Sequence, residues 1–335
     1  MERPVIVVPM GDPAGVGPEI VIKTLADPSL PAKARCIAVG DVRVFQRALA
    51  FPSMPRPELH IISNPKEGLY RPGVLNLINL PCISPKDYTI GKISAACGQA
   101  AYNCIAKAVM LAMSGQADAV STPPINKEAL RAAGLPYIGH TEIFGALTHT
   151  DDPLTIFEVH GLRIFFLTRH MSLRQACDAI TKERIIDYVK RSHAILRQLG
   201  VEDGCMAIAG LNPHCGEHGL FGNEESLAII PAVMALQKLG YSVVGPIGSD
   251  SVFHQALNGK YSSVLSLYHD QGHIAAKTLD FYRTISITCG MPILRTSVDH
   301  GTAFDVAGQG IASSTSMQEA ILVAVKYAHS IHRGS

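Results

Sequence analysis

Residues 4–25, PVIVVPMGDPAGVGPEIVIKTL, decide the fold class. Pro4 to Met10 is a short unbroken apolar run, the pattern of a parallel strand covered on both faces. The glycines that follow permit a tight turn and close backbone approach. Pro18 suits the first helical position, and Ile20 to Leu25 continues as a helix. Strand, glycine-rich turn and helix make a βα unit whose helix start can hold an anion. The alternation repeats outward. Cys36 to Gly40 reads as a second strand, Val42 to Leu49 as a helix, and Ala50 to Pro57 as a Pro-rich surface loop. Ser94 to Ser114 is the longest helical pattern and lacks a wide charged face, which implies burial. Ala117 to Thr122 is a strand leading into a turn and helix at Pro123 to Glu128. Strands follow at Leu154 to Val159 and Arg163 to Leu167. Thr181 caps an amphipathic helix to Leu199, with Glu183 in its first turn. Glu225 to Leu239 is a further helix. The expectation is an α/β fold with a mostly parallel sheet.

Three histidines each end an apolar run: His170 after FFLTR, His214 after MAIAGLNP, and His269 after SVLSLY. In an open α/β sheet the carboxyl ends of neighbouring strands converge on the ligand crevice. Three neutral imidazoles with an open fourth position make a catalytic metal site. Asp270 could orient a ring as an acceptor behind it. His273, four residues past His269, is a weaker candidate ligand. Cys215 reads as a packed thiol, and Glu217 and His218 as solvated loop residues. Lys277 and Arg295 are cations suited to a carboxylate or phosphate, with Lys277 also a candidate proton donor. In GHTE, Thr141 could cap the next helix, and His140 is a candidate substrate contact. In DHGTAFDVAG, Gly301 lets backbone approach a ligand, and Asp305 could bind ribose hydroxyls.

The chain has 335 residues, too many for one simple core, so two lobes are expected. A composition 47% hydrophobic and 17% charged marks it as globular. A net charge of +1 gives no electrostatic case for nucleic acid or an anionic membrane. Eight cysteines without a CxxC pair read as reduced, mostly buried thiols of a cytoplasmic protein. No GxGxxG or GxxxxGK[ST] is present, so a nucleotide would be held another way.

GDPAGVGPEI, GHTE, GLNPHCGE, YHDQG and RTSVDHGTAFDVAG, in this order, resemble the 4-hydroxythreonine-4-phosphate dehydrogenase (PdxA) family. The resemblance runs from Gly11 to about Gly310 and into the C-terminal helix. HGTAFDVAG also resembles the adenosine-binding loop of isopropylmalate and isocitrate dehydrogenases. That wider group implies a two-lobed fold with the active site in the inter-lobe cleft. The lobes are expected at 1–125 with 275–335, and at 126–274.

The resemblance implies oxidation of a phosphorylated secondary alcohol with NAD or NADP, followed by loss of carbon dioxide. It implies a divalent metal (Zn, Co, Mg, Ni or Fe) on His170, His214 and His269, shared between the subunits of a homodimer. It implies substrate contacts at His140, Thr141, Lys277, Ser286 and Arg295, and cofactor contacts at Asp299, His300, Gly301, Thr302 and Asp305. Lys277 and Asp270 are the expected catalytic residues. The expected substrate is 4-phosphohydroxy-L-threonine. D-threonate or D-erythronate 4-phosphate and an aromatic cis-dihydrodiol carboxylate are the alternatives, with a non-catalytic metal-dependent binding protein as a remote one. Ser286 stands where the biosynthetic enzymes have Asn, and Ser offers a single hydroxyl in place of an amide's donor and acceptor. PINKEAL looks more like the family's second branch, linked to four-carbon acid phosphates.

Overall fold

Every residue of Val5–Pro9 is buried, and this run forms the first strand. The structure, a computed structural model, describes residues 2–201 and 204–331. The strands among them, in chain order, are β1 (Val5–Pro9), β2 (Arg35–Gly40), β3 (Glu58–Ile62), β4 (Val74–Asn79), β5 (Ala119–Thr122), β6 (Leu154–Val159), β7 (Leu162–Phe166), β8 (Met206–Ala209), β9 (Val243–Ile247), β10 (Ser263–Ser266), β11 (Ile285–Cys289) and β12 (Leu294–Val298). Helices alternate with most of them. The chain divides into two compact units, Met1–Pro153 with Ile285–Ser335, and Leu154–Thr284.

In the first unit the strand order is β3-β4-β2-β1-β5-β12-β11. All neighbours are parallel except β11 and β12. The chain builds β2, β3 and β4 on one side of β1 and then crosses to β5 on the other. The carboxyl ends of β1 and β5 therefore form a switch point, the place where open α/β sheets take ligands. The helix Ala95–Met113 packs on β1 through small side chains such as Ala101, Cys104 and Ala108. It also holds the helices Lys127–Ala132 and His140–Thr148, which is why both belong to this unit.

The glycine-rich turn departs from its expected role. Gly15 is needed because a Cβ there would stand 2.8 Å from the Thr302 Cβ. The Val16 N–H donates to the Thr302 carbonyl at 3.0 Å, the Asp12 N–H to Pro124, and the Ala14 N–H to the Asp12 carboxylate. The turn is buried and these N–H groups are spent on protein oxygens, so it docks the 299–310 loop.

In the second unit the order is β6-β7-β10-β8-β9. β6 and β7 are an antiparallel hairpin turned at His160 and Gly161, both with positive φ as a two-residue turn of this hand requires. The other neighbours are parallel. Phe157, Ile164, Phe166, Ala207, Val264 and Ala276 form its core. Gly272 lets the helix His269–Leu279 lie directly on β7, since a Cβ there would stand 2.5 Å from the Phe166 ring. The compact units meet the chain at 153/154 and 284/285, not at the expected 125/126 and 274/275. No helix among the described residues is long and apolar enough to cross a membrane.

Candidate functional site

β7, β10 and β8 are consecutive neighbours, and all three run parallel. His170, His269 and His214 follow their respective carboxyl ends. The first two ends are bolted together. The Leu167 N–H donates to Ser266 O at 2.9 Å, and the Thr168 hydroxyl to Leu267 O at 2.8 Å. Arg184 donates twice to Leu167 O. His170 and His269 consequently line one open cleft of about 490 Å³ with Arg169, Met171, Tyr268 and Asp270. Their ring centroids are 6.1 Å apart.

The His269 Nδ1 lies 2.6 Å from the Asp270 carboxylate. A proton held there leaves Nε2 as the free lone pair, the usual tautomer of a metal-ligating histidine. His273 stacks on His269 at 3.6 Å but sits against Phe157 and Phe166, with its Nδ1 on the His269 carbonyl. His273 is therefore a packing residue. The donor chemistry at His170 and His269 fits a borderline cation such as zinc or cobalt. His214 is not gathered with them: no group of three His, Cys, Asp or Glu among the described residues is placed to hold a metal.

His214 lies instead at the start of a left-handed turn. His214, Cys215, Gly216, Glu217 and His218 all have positive φ, from 40° to 81°. Each non-glycine residue in this region costs roughly 1–2 kcal/mol. Nothing in the residue types announces it, because none of His, Cys or Glu favours that conformation strongly. Burial, aided by Glu225 and Asp250, pushes the Cys215 thiol up, which keeps it protonated as a packing group.

Lys277 is eight residues past His269 on the same helix, about 12 Å along its axis. Its ammonium lies 5.2 Å from the centre of the Phe281 ring. Asp270 is exposed, and its carboxylate meets the back of the His269 ring.

The first unit holds a buried cation. Arg295 on β12 is 4% exposed. Its Nε and Nη2 donate to the Thr122 hydroxyl at 3.2 and 2.9 Å, and Nη1 to the Thr288 hydroxyl at 2.7 Å. The guanidinium also stacks over the Phe144 ring at 5.1 Å. Burial pulls its pKa down to about 9, with the Glu142 charge acting the other way. A buried cation whose hydrogen bonds go to neutral hydroxyls is arranged for an incoming anion.

His140 opens the helix His140–Thr148, behind Gly139 as N-cap. Thr141 is therefore inside the first turn and not the expected cap. The His140 Nε2 is buried without a hydrogen-bond partner. Burial, reinforced by the Arg295 charge, holds this ring well below the ordinary histidine pKa, so it is neutral. Ser286 is opposite Ser297, and Thr288 is opposite Arg295, in the β11–β12 register. Opposed and alternate positions share a face, so Ser286 belongs to the same hydroxyl-lined surface as Arg295. Thr122, Thr288 and Phe144 were missed from sequence; Thr288 could have been found by counting two residues along the strand from Ser286.

The 299–310 loop is clamped by the first helix. Lys23 donates to Gly310 O and Ala312 O, each at 2.8 Å, and the Glu19 carboxylate accepts the Gly308 N–H. Thr302 is buried against Gly15, whereas Gly301 and Asp305 are exposed. The His300 Nδ1 is 3.0 Å from Gly301 O. Asp299 is half-buried beside it.

The family model described as pyridoxal phosphate biosynthetic protein PdxA matches residues 32–324. The chain belongs to the PdxA family. This PdxA-family chain is 57% identical over 325 residues to a Clostridium botulinum protein named "Putative D-threonate 4-phosphate dehydrogenase", covering 97% of each. It is 58% identical over 326 residues to a Fusobacterium nucleatum protein of the same name, covering 97% of this chain and 98% of that one. A crystal structure of 4-hydroxythreonine-4-phosphate dehydrogenase from Klebsiella pneumoniae superposes with a TM-score of 0.90 at 43% identity, over 97% of this chain and 98% of that one.

Proposed function

We propose that this PdxA-family chain is a nicotinamide-dependent dehydrogenase of D-threonate 4-phosphate. The observation that carries the proposal is near-full-length identity of 57–58% to relatives bearing that name. The expected substrate, 4-phosphohydroxy-L-threonine, gives way to its alternative. The two substrates differ at carbon 2, where threonate carries a hydroxyl and hydroxythreonine an ammonium. Ser286 offers a hydroxyl on the Arg295 face, and a site built around one substrate group rejects the analogue lacking it.

In this reading Arg295 holds an anionic end of the substrate through charge-assisted hydrogen bonds. His140, neutral and with its Nε2 unspent, donates or accepts one further bond there. Thr122 and Thr288 keep the guanidinium aimed before substrate arrives. His170 and His269 would hold a divalent cation shared with a second copy of the chain, with His214 as the third ligand in that assembly; when bound, the cation supplies Lewis acidity that favours an alkoxide. Asp270 fixes the His269 tautomer. Hydride from carbon 3 passes to NAD or NADP, and its hydroxyl proton to solvent or Lys277. The resulting 3-keto acid loses carbon 1 as carbon dioxide, and carbon 2 takes a proton from solvent or Lys277, leaving a three-carbon ketone phosphate. Asp299, His300, Gly301, Thr302 and Asp305 hold the adenosine end, as in the decarboxylating dehydrogenases that this loop resembles. A homodimer belongs to the proposal. Leu227, Ile230 and Met234, spaced three and four apart on one helical face, are 75%, 40% and 53% exposed, and a second copy would cover them.

The test is a panel: D-threonate and D-erythronate 4-phosphates, 4-phosphohydroxy-L-threonine and a cis-dihydrodiol carboxylate, each with NAD and with NADP. Fastest cofactor reduction with D-threonate 4-phosphate supports the proposal. Reduction only with the amino acid phosphate or the dihydrodiol rejects it.

A further inference from the structure

We infer that Gln271 and Glu225 are positioning residues that fix the His214 loop against the turn carrying His269. The inference rests on the reading of these histidines as metal ligands. Gln271 is buried, and both ends of its amide are used. Its Oε1 accepts the Leu267 N–H at 2.6 Å. Its Nε2 donates to Gly210 O at 2.8 Å and to the Ser249 hydroxyl at 3.0 Å. Ser249 in turn donates to the same Gly210 carbonyl at 2.6 Å. One side chain thus ties backbone two residues before His269 to backbone four residues before His214.

Glu225 takes over where Gln271 stops. It is 2% exposed, and its Oε1 accepts the N–H groups of Leu211 at 2.8 Å and Asn212 at 2.7 Å. Its Oε2 accepts the Asn212 amide at 2.8 Å. Directly after these anchors the chain enters the left-handed run 214–218. A conformation of this kind persists only where its surroundings over-determine it. Gln271 and Glu225 supply that determination at the loop's entrance. Both spend their polar atoms on backbone, amide and hydroxyl groups, so neither is a ligand or a proton carrier.

A purely structural role would lower the melting temperature and leave the metal affinity of the folded protein unchanged. A positioning role lowers the affinity and changes the ligand field. The full chain, stripped with a chelator, is titrated with cobalt(II) by equilibrium dialysis and visible absorption, with melting followed in parallel. The expected result is one cobalt(II) per wild-type chain, and binding about 10- to 100-fold weaker with altered bands in Gln271→Met and Glu225→Ala. Glu225→Gln keeps the acceptor for both N–H groups but sets an amide N–H against the Asn212 amide, so it binds more tightly than Glu225→Ala and more weakly than wild type. Wild-type affinity and spectrum in both Gln271→Met and Glu225→Ala overturn the inference and leave the ligand reading intact. No cobalt in the wild type overturns the ligand reading, and the inference with it. If Gln271→Met does not fold, the contrast between Glu225→Ala and Glu225→Gln decides.

Discussion

Replacing Arg295 with Met separates a binding arginine from a structural one. The guanidinium is buried, and burial pulls its pKa from the ordinary arginine range down to about 9. At 1.36 kcal/mol per unit this is roughly 5 kcal/mol against the charged form. The base has a lower pKa folded than unfolded, so the unfolded chain holds more protons between the two values. Stability therefore rises with pH only above about 9, and the whole cost stands at neutral pH. The three bonds to the Thr122 and Thr288 hydroxyls return about 1.5–3 kcal/mol each at best, which roughly offsets it. Arg295→Met should therefore change stability by no more than about 1–2 kcal/mol. Binding is another matter. Losing one partner of a buried charge pair costs about 2–5 kcal/mol, so kcat/KM should fall roughly 30-fold to several thousand-fold. Melting with and without D-threonate 4-phosphate, and steady-state kinetics, read both effects. Ligand should raise the wild-type melting temperature and leave the variant's unmoved. A variant destabilised by about 3–5 kcal/mol with unchanged kcat/KM would refute the reasoning, since that is the mark of a broken structural pair.

Two further predictions concern the first unit. Burial raises the Asp12 carboxyl to about 6 against the bonds from the Ala14 and Asn126 N–H groups, so its contribution is present at low pH and lost as pH rises through about 6. Asp12→Asn should melt higher than wild type at neutral pH, with the gap shrinking as pH falls toward the ordinary aspartate range; a gap independent of pH contradicts the assignment. Gly301 has no positive φ, and a Cβ added there would meet nothing within 4 Å. Gly301→Ala should melt as wild type does while raising KM for the nicotinamide cofactor several-fold, and an unchanged KM would remove this loop from the cofactor site.

The strands were legible because parallel strands covered on both faces leave unbroken apolar runs, as Val5–Pro9 and Met206–Ala209 do. The strand-end histidines were legible for the same reason. The left-handed turn at His214–His218 was not, because it is imposed by Glu225 and Gln271 from other elements. The partners of Arg295 were hidden too. Thr122 lies 173 residues away in sequence, and only the β5–β12 pairing brings it near. The glycine-rich turn misled because glycine serves a close approach to protein as readily as an approach to a phosphate.

The most direct test is made on metal-stripped protein supplied with D-threonate 4-phosphate and the preferred nicotinamide, before and after a divalent cation is restored. The account predicts no turnover without the cation, and with it one carbon dioxide for each cofactor reduced. Equal rates in both states, or a reduced cofactor with no carbon dioxide, would contradict it.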